Sequence, residues 1–353
     1  MGTAKSIKKV LLYSPYLNIQ GGGERYFLTI ASILSMENNK VDIAWSGDPE
    51  CINISSKRFG LDLKKINIIP IDISKLNIIK KFFLTRKYDI SLFINDGSIP
   101  FMFSKQNLLH IQVPFNLSDQ YNILNFIKLF FIKKIICNSV FTEKWVKKTY
   151  HSNNTIVLYP PVDTSKFKNK STKLNQILSI SRFSESLNSK RQDILIEAFK
   201  MFSKSNKDYK LILAGASDSD NKLLDKFRKI SKGYPISFKI NPSFQELIDL
   251  YAQSKIFWHA AGFGIDENNF PEKTEHFGIV LVEAIAAGCI VFAVDKGGVR
   301  EIITDGNNGF LYTDAQSLVR LTSKHLDDSI SKDRNIDRFS IDSFKNNLLK
   351  ILN

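Results

Sequence analysis

Residues 275–291 read Glu-His-Phe-Gly-Ile-Val-Leu-Val-Glu-Ala-Ile-Ala-Ala-Gly-Cys-Ile-Val, and their reading decides how the rest of the chain is read. Gly278–Ala287 is expected to be a helix and Cys289–Val294 the buried strand after it. Glu275 then falls in the loop before the helix, and Glu283 lies on it one to two turns in. A helix start presents free N–H groups and a positive dipole end to an anion, and Gly278 lets a ligand approach that backbone closely. Two carboxylates so placed can clasp opposite ends of a ligand whose phosphates lie between them.

Working outward, the same strand–helix alternation fills the chain. Val10–Tyr13 is a short buried run, Gly21-Gly22-Gly23 follows a polar loop, and Glu24–Met36 has Phe27, Ile30, Ala31 and Leu34 on one helical face. Strands are expected at Val41–Trp45, Ile66–Pro70, Ile90–Ile94, Leu108–Val113, Ile132–Cys137 and Ile156–Tyr159. After the proline-led stretch from Pro160 the rhythm restarts, with strands at Gln176–Ser181, Leu211–Ala214, Ile236–Ile240, Ile256–His259 and Gly309–Tyr312, and helices at Asp193–Phe202 and Ile341–Leu352. Such alternation calls for parallel sheets covered on both faces. The expected architecture is α/β: two Rossmann-like doubly wound domains, 1–170 and 171–335, facing a cleft, with 336–353 packing back on the first.

With 353 residues, 43% apolar and 24% charged, the chain is neither disordered, collagen-like nor a coiled coil. No stretch reaches the roughly 18 apolar residues of a membrane span. Cys51, Cys137 and Cys289 are odd in number and far apart, and read as reduced thiols rather than a disulfide frame or zinc site. No secretory leader is read at the start, and the myristoylation-like Met1–Ser6 is taken as chance. The net charge of +14 is lopsided: residues 1–170 hold 24 basic and 12 acidic residues, and so carry nearly all of it. Such a half seeks polyanions. Tyr121–Lys134 and Ile78–Leu84 are apolar and aromatic with only basic charges, the composition of interfacial helices on an anionic membrane face. A nucleic-acid partner is set aside for want of a recognition helix or aromatic sheet motif.

Several motifs occur together in order. The Glu275-x7-Glu283 spacing with Phe277-Gly278 and Ala286-Ala287-Gly288 resembles the signature of the retaining GT-B glycosyltransferases of family 4, of bacterial surface-polysaccharide type. Gly21–Arg25 resembles that family's glycine loop, Asn138-Ser139-Val140-Phe141-Thr142 its Asn-Ser-x-Phe-Thr segment, and Tyr159–Asp163 the entry to its linker. Arg182 with Lys190 resembles its phosphate clamp, and Gly297-Gly298, Glu301-Ile302-Ile303 and Gly306-x-x-Gly309-Phe310 complete the set. The acidic stretch Gly262–Lys273 is longer than the loop of many relatives and is expected to border the donor site.

The resemblance implies transfer of a hexose-type sugar, with retention, from a nucleoside diphosphate sugar to a glycan or polyprenyl-diphosphate-linked acceptor in O-antigen or capsule synthesis. The enzyme would rest on the cytoplasmic face of the cell membrane. It implies Glu283 on the ribose, Glu275 on the donor sugar, Arg182 and Lys190 on the diphosphate, and assistance from the amides of Gly278, Ile279 and Val280. Gly22 and Gly23 would face a phosphate or acceptor hydroxyl, and His110 the donor sugar. Arg191 reads as a solvated neighbour of Lys190. No cofactor or metal is expected: Asp218-Ser219-Asp220 reads as an exposed turn, and the five histidines lack zinc spacing. The rival reading is a nucleotide-sugar epimerase of the same fold.

Overall fold

A computed structural model describes residues 6–18, 21–95, 99–114, 123–168, 171–184, 190–218, 221–326 and 336–352. The chain divides into two compact units, 1–161 with 344–353 and 162–343. The division falls between Pro161 and Val162, where the sequence reading placed it after residue 170.

The first unit is built on a seven-stranded sheet, all of whose pairings are parallel. Its strands are β1 (Lys9–Tyr13), β2 (Lys40–Ala44), β3 (Asn67–Ile69), β4 (Ile90–Ile94), β5 (Gln106–Ile111), β6 (Lys134–Cys137) and β7 (Thr155–Val157), in the order β3-β2-β1-β4-β5-β6-β7. Strand β1 shows why both faces are covered. Successive side chains point to opposite faces, so Val10 and Leu12 join one core cluster while Leu11 and Tyr13 join the other. The first cluster is closed by α1 (Gly22–Met36) and by the last helix of the chain, Ile341–Leu352, whose Phe344, Leu348 and Leu352 recur every four residues and are buried there. The Phe344 ring meets Tyr26 edge-on at 5.2 Å, and Lys345 pairs with Glu37 at 2.9 Å.

The Asn-Ser-x-Phe-Thr segment acts here as a helix start. The Ser139 hydroxyl accepts the Thr142 N–H at 3.0 Å, capping α5 (Val140–Tyr150), and the Asn138 amide donates to the Gln112 carbonyl at 3.0 Å. Two further helices of this unit, α3 (Ile78–Thr85) and α4 (Ile123–Phe130), matter below. The single helical reading of Tyr121–Lys134 is corrected. The helix ends at Phe130, the Lys133 N–H bonds the Asn107 carbonyl at 2.8 Å, and Lys134 opens β6. Tyr121 and Asn122 lie outside the described residues, as do Met1–Lys5 of the myristoylation-like start.

The second unit carries a six-stranded parallel sheet, β8 (Leu174–Ile180), β9 (Lys210–Gly215), β10 (Ile236–Ile240), β11 (Ser254–His259), β12 (Ile290–Val294) and β13 (Phe310–Tyr312), ordered β10-β9-β8-β11-β12-β13. In both sheets the chain first winds outward from one strand, then returns and builds in the other direction. The reversal points lie between β1 and β4 and between β8 and β11, and crevices at the carboxyl ends of strands at such points are where doubly wound sheets bind ligands. Cys137 and Cys289 are buried, and none of the three cysteines is in a disulfide. Among the described residues no helix is long and apolar enough to cross a membrane.

Candidate active site

The reversal point of the second sheet is where the sequence-derived residues gather. Arg182 follows β8, and His259 ends β11, the two strands that flank that point. Arg182 is exposed, and its backbone is fixed by Gln192, whose amide donates to the Arg182 carbonyl at 3.0 Å and to the Ser181 hydroxyl at 2.9 Å. Gln192 is the first residue of α6 (Gln192–Phe202), so the chain leading into α6 holds Arg182 and Lys190 on neighbouring backbone. The glycine ending β9 serves the same loop. A Cβ on Gly215 would stand 1.9 Å from the Ser181 carbonyl oxygen, so no other residue lets the strands close there.

The centre of the site is Glu275. Its Oε2 accepts from the Lys190 ammonium at 2.7 Å and lies 3.1 Å from His259 Nε2. Burial raises the Glu275 carboxyl, but the Lys190 charge and the His259 hydrogen bond outweigh it and hold the group well below the usual carboxylate range. Because the carboxylate only accepts, His259 Nε2 carries the proton, and its buried Nδ1 meets no partner among the described residues. An ammonium has three donors; Glu275 takes one and aims the rest.

Glycines set this geometry. Gly278 sits at φ 104°, a left-handed conformation, just before α9 (Ile279–Ala286), and a Cβ on it would meet Leu281 Cδ1 at 2.9 Å. Across from it, Gly298 donates its N–H to the Glu275 carbonyl at 2.8 Å, and a Cβ there would come within 2.2 Å of the His276 carbonyl oxygen. The backbone of 275–276 therefore lies flush on Gly297-Gly298. Glu283, on α9, is buried, with its Oε2 accepting from the Tyr251 hydroxyl at 3.0 Å; the same hydroxyl stands 3.2 Å from the Val280 carbonyl. Val280 and Ile279 are half-buried in the first turn of α9.

Other expectations are placed differently. Arg191 is no solvated neighbour: it adopts φ 49°, forks onto Asp193 and donates to the Phe263 carbonyl at 2.7 Å, bracing the start of α6. His110 is corrected as well. The structure buries its ring completely in β5, stacked on Tyr26 at 4.2 Å with Nδ1 3.0 Å from the Ile136 carbonyl, and burial pushes the imidazole down to about 3. As packed it is a core ring and touches no surface. Gly22 and Gly23 open α1 in the first unit. The Gly21 N–H donates to the Glu24 carboxylate at 2.9 Å, and a Cβ on Gly23 would stand 2.7 Å from Gln112 Oε1. His276 bonds the Glu272 carbonyl at 3.1 Å, and burial lowers it to about 4.

The sequence reading passed over His259 and the Glu267–Arg300 pair. Glu267, in the acidic stretch, accepts from Arg300 at 2.7 Å and from the Gly297 N–H at 2.8 Å, which ties that stretch to the glycine pair under Glu275. The available signal for His259 was its position as the last residue of a strand. Among the described residues no group of three metal-ligating side chains gathers. Asp218 is described only as accepting, through its carbonyl, from the Ser217 hydroxyl at 3.1 Å, and Ser219 and Asp220 lie outside the described residues.

Known proteins resemble this chain at several levels. A GDP-Man:Man(3)GlcNAc(2)-PP-Dol alpha-1,2-mannosyltransferase of Xenopus laevis is 29% identical over 180 residues, 46% of this chain and 34% of its own. The protein of that name from Caenorhabditis elegans is 22% identical and matches 94% of this chain and 86% of its own. The chain spans only 34% to 47% of the length of the first three such relatives. Among solved structures, a glycosyltransferase from Rickettsia africae superposes with a TM-score of 0.77 at 17% identity, over 99% of this chain and 98% of the other. Anabaena Alr3699/HepE in complex with UDP and glucose gives 0.73 at 19%, over 98% and 99%. These likenesses show the GT-B fold. Residues 162–340, just over half of the chain and nearly all of the unit that holds the Glu275 cluster, match the model for glycosyl transferases group 1, and the chain belongs to that family.

Proposed function

We propose that the protein moves a hexose, with retention and without a metal, from a nucleoside diphosphate sugar to a glycan carried on a polyprenyl diphosphate. The observation that carries the reading is the Lys190–Glu275 pair, before the glycine-opened start of α9, in the unit where Arg182 follows β8 at the reversal point of the sheet. In this reading the donor diphosphate lies on Arg182 and Lys190 and on the amides of Gly278, Ile279 and Val280. Negative charge builds on that diphosphate as the bond to the sugar breaks, so fixed positive groups lower the barrier without reorganising. Glu275 keeps its negative charge across the neutral range, accepts from the sugar hydroxyls and aims Lys190. Glu283, oriented by Tyr251, accepts from the ribose hydroxyls.

GDP-mannose is the donor to try first, because the named relatives are GDP-Man mannosyltransferases. Those relatives act on a dolichol diphosphate oligosaccharide, whereas the sequence alone pointed to O-antigen or capsule. The proposal is framed on the diphosphate lipid, which both settings share. Calorimetry with GDP-mannose and a panel of other nucleotide sugars tests it. Arg182→Ala is expected to leave the fold intact and cut turnover about a hundredfold or more, the scale of removing one preorganised charge. Glu283→Gln should weaken nucleotide binding about tenfold, the worth of a charge-assisted hydrogen bond. Unchanged turnover and affinity in both variants would remove the assignment. Release of an epimerised free sugar without acceptor would favour an epimerase.

A further inference from the structure

His259 is buried and has no task in the donor reading. It closes β11, where its register partner is Ala293 of β12, and its carbonyl accepts from the Tyr312 hydroxyl at 2.9 Å. Trp258 before it points to the opposite face, as alternation requires, and joins the core of the second unit. The His259 ring therefore stands on an inner strand with a fixed backbone. With the proton on Nε2, Nδ1 is a lone-pair acceptor, and it is buried with no partner among the described residues. An unmade hydrogen bond in the interior is a cost that a leucine of similar size would not carry. Packing alone does not account for an imidazole here; its Nε2–H on Glu275 does.

Lys190 and His259 hold the carboxylate in different ways. Lys190 reaches it on a flexible stem, and an ammonium is a point charge with rotatable donors. It follows the carboxylate wherever the last torsion of the glutamate turns, and that torsion is soft. An imidazole N–H points one way from a rigid ring. Both donors meet the same oxygen, Oε2, at 2.7 Å and 3.1 Å. The other oxygen, Oε1, has no hydrogen-bond partner among the described residues. The adjoining imidazole, His276, is turned to the Glu272 carbonyl at 3.1 Å, and the Gly298 N–H is spent on the Glu275 carbonyl at 2.8 Å. Backbone and Oε2 are thus both fixed, and Oε1 is the oxygen left for a ligand. Only 13% of the Glu275 side chain is exposed, so water competes little for it.

We propose that His259 is a positioning residue for sugar transfer: its Nε2–H pins Glu275 Oε2, so that Oε1 is presented to a hydroxyl of the transferred hexose. The inference rests on the donor reading above. The full chain is tested with the nucleotide sugar that the panel selects, GDP-mannose first, and with its free nucleoside diphosphate, by turnover and calorimetry. His259→Leu, which removes the N–H and keeps the bulk, should lower kcat about tenfold or more, the worth of one charge-assisted hydrogen bond. Its affinity for the free nucleoside diphosphate, which lacks the sugar, should stay within about twofold. His259→Gln carries an amide N–H near the place of Nε2 and should recover turnover to within about threefold of the parent. In Glu275→Ala nothing is left to pin, and adding His259→Leu should change turnover by less than about twofold, since residues that act as a unit are not additive. Three results would overturn the proposal and leave the donor reading standing: His259→Leu turning over as the parent does, His259→Gln no better than His259→Leu, or a full further loss in Glu275→Ala. So would a fall in nucleoside diphosphate affinity that matches the fall in turnover of His259→Leu, which would make the ring a prop of the fold. A parent that binds no nucleotide sugar of the panel would remove the donor reading, and this inference with it.

Discussion

Glu275 shows how much of a site a single contact can decide. A carboxylate with little exposure to water is unfavourable unless paired, and here Lys190 and His259 share one of its oxygens. Its folded-state carboxyl lies below the value it has unfolded, so its contribution to stability is present above about pH 4.3 and is lost as pH falls through the folded value. Lys190→Met leaves the carboxylate nearly alone. The variant is expected to lose about 3 kcal/mol at neutral pH, as removing one partner of a buried pair does, and the deficit should shrink in acid, first as the variant's unpaired carboxyl takes a proton and fully only below the parent's own, lower folded value. Denaturant melts at pH 7 and pH 4 check this; an equal deficit at both would mean that Lys190 does not act through that carboxylate. His110 carries the opposite lesson. Its imidazole is lowered by burial to about 3 from an ordinary 6.5, so the first unit should lose stability as pH falls from about 6.5 towards about 3, by at most about 1.4 kcal/mol for each unit. His110→Phe, which keeps the stack on Tyr26, should flatten that slope in pH-dependent melts. A slope unchanged by the substitution would mean that another group sets it.

Much at the scale of single elements was legible in the sequence. The run Ile90–Ile94 is buried at every position and could only be an inner strand, and the window Ile279–Ala286 is the helix that residues 275–291 foretold. Glu275 and Lys190 were singled out by motif order; their direct contact was not legible, since 85 residues separate them. His110 was misjudged because the end of a strand exposes a side chain only if no helix covers it, and α1 brings Tyr26 over this one. Arg191 was misjudged because a left-handed φ turns it towards Phe263, which no local pattern announces. In the sequence Gly297-Gly298 stood only as part of a motif set, and in the structure they act as a bed for the Glu275 loop. Gly298→Ala should therefore cost about 1–3 kcal/mol, the scale of overpacking, and lower nucleotide affinity as well. Calorimetric melts and nucleotide titration check both, and a stable variant that binds as the parent does would show that the bed is dispensable.

At the scale of the whole molecule, the same winding rule recurs in both units. Each unit reverses its strand order once and gathers cations at the carboxyl ends there: Arg182 and Lys190 in the second, Lys81 and Lys128 in the first. The excess positive charge of the first half is visible in composition; that Lys81 and Lys128, on two helices far apart in sequence, line one cavity is not. The central claim is that the second unit departs a diphosphate from a sugar and the sugar keeps its anomeric configuration. Proton NMR of the anomeric signal tests it most directly, following GDP-mannose with a polyprenyl-diphosphate-linked oligosaccharide in the presence of EDTA. The account predicts an α-linked product, formed at an undiminished rate with chelator and lost in Arg182→Ala. A β-linked product, or transfer that stops with EDTA and returns with manganese, would contradict it.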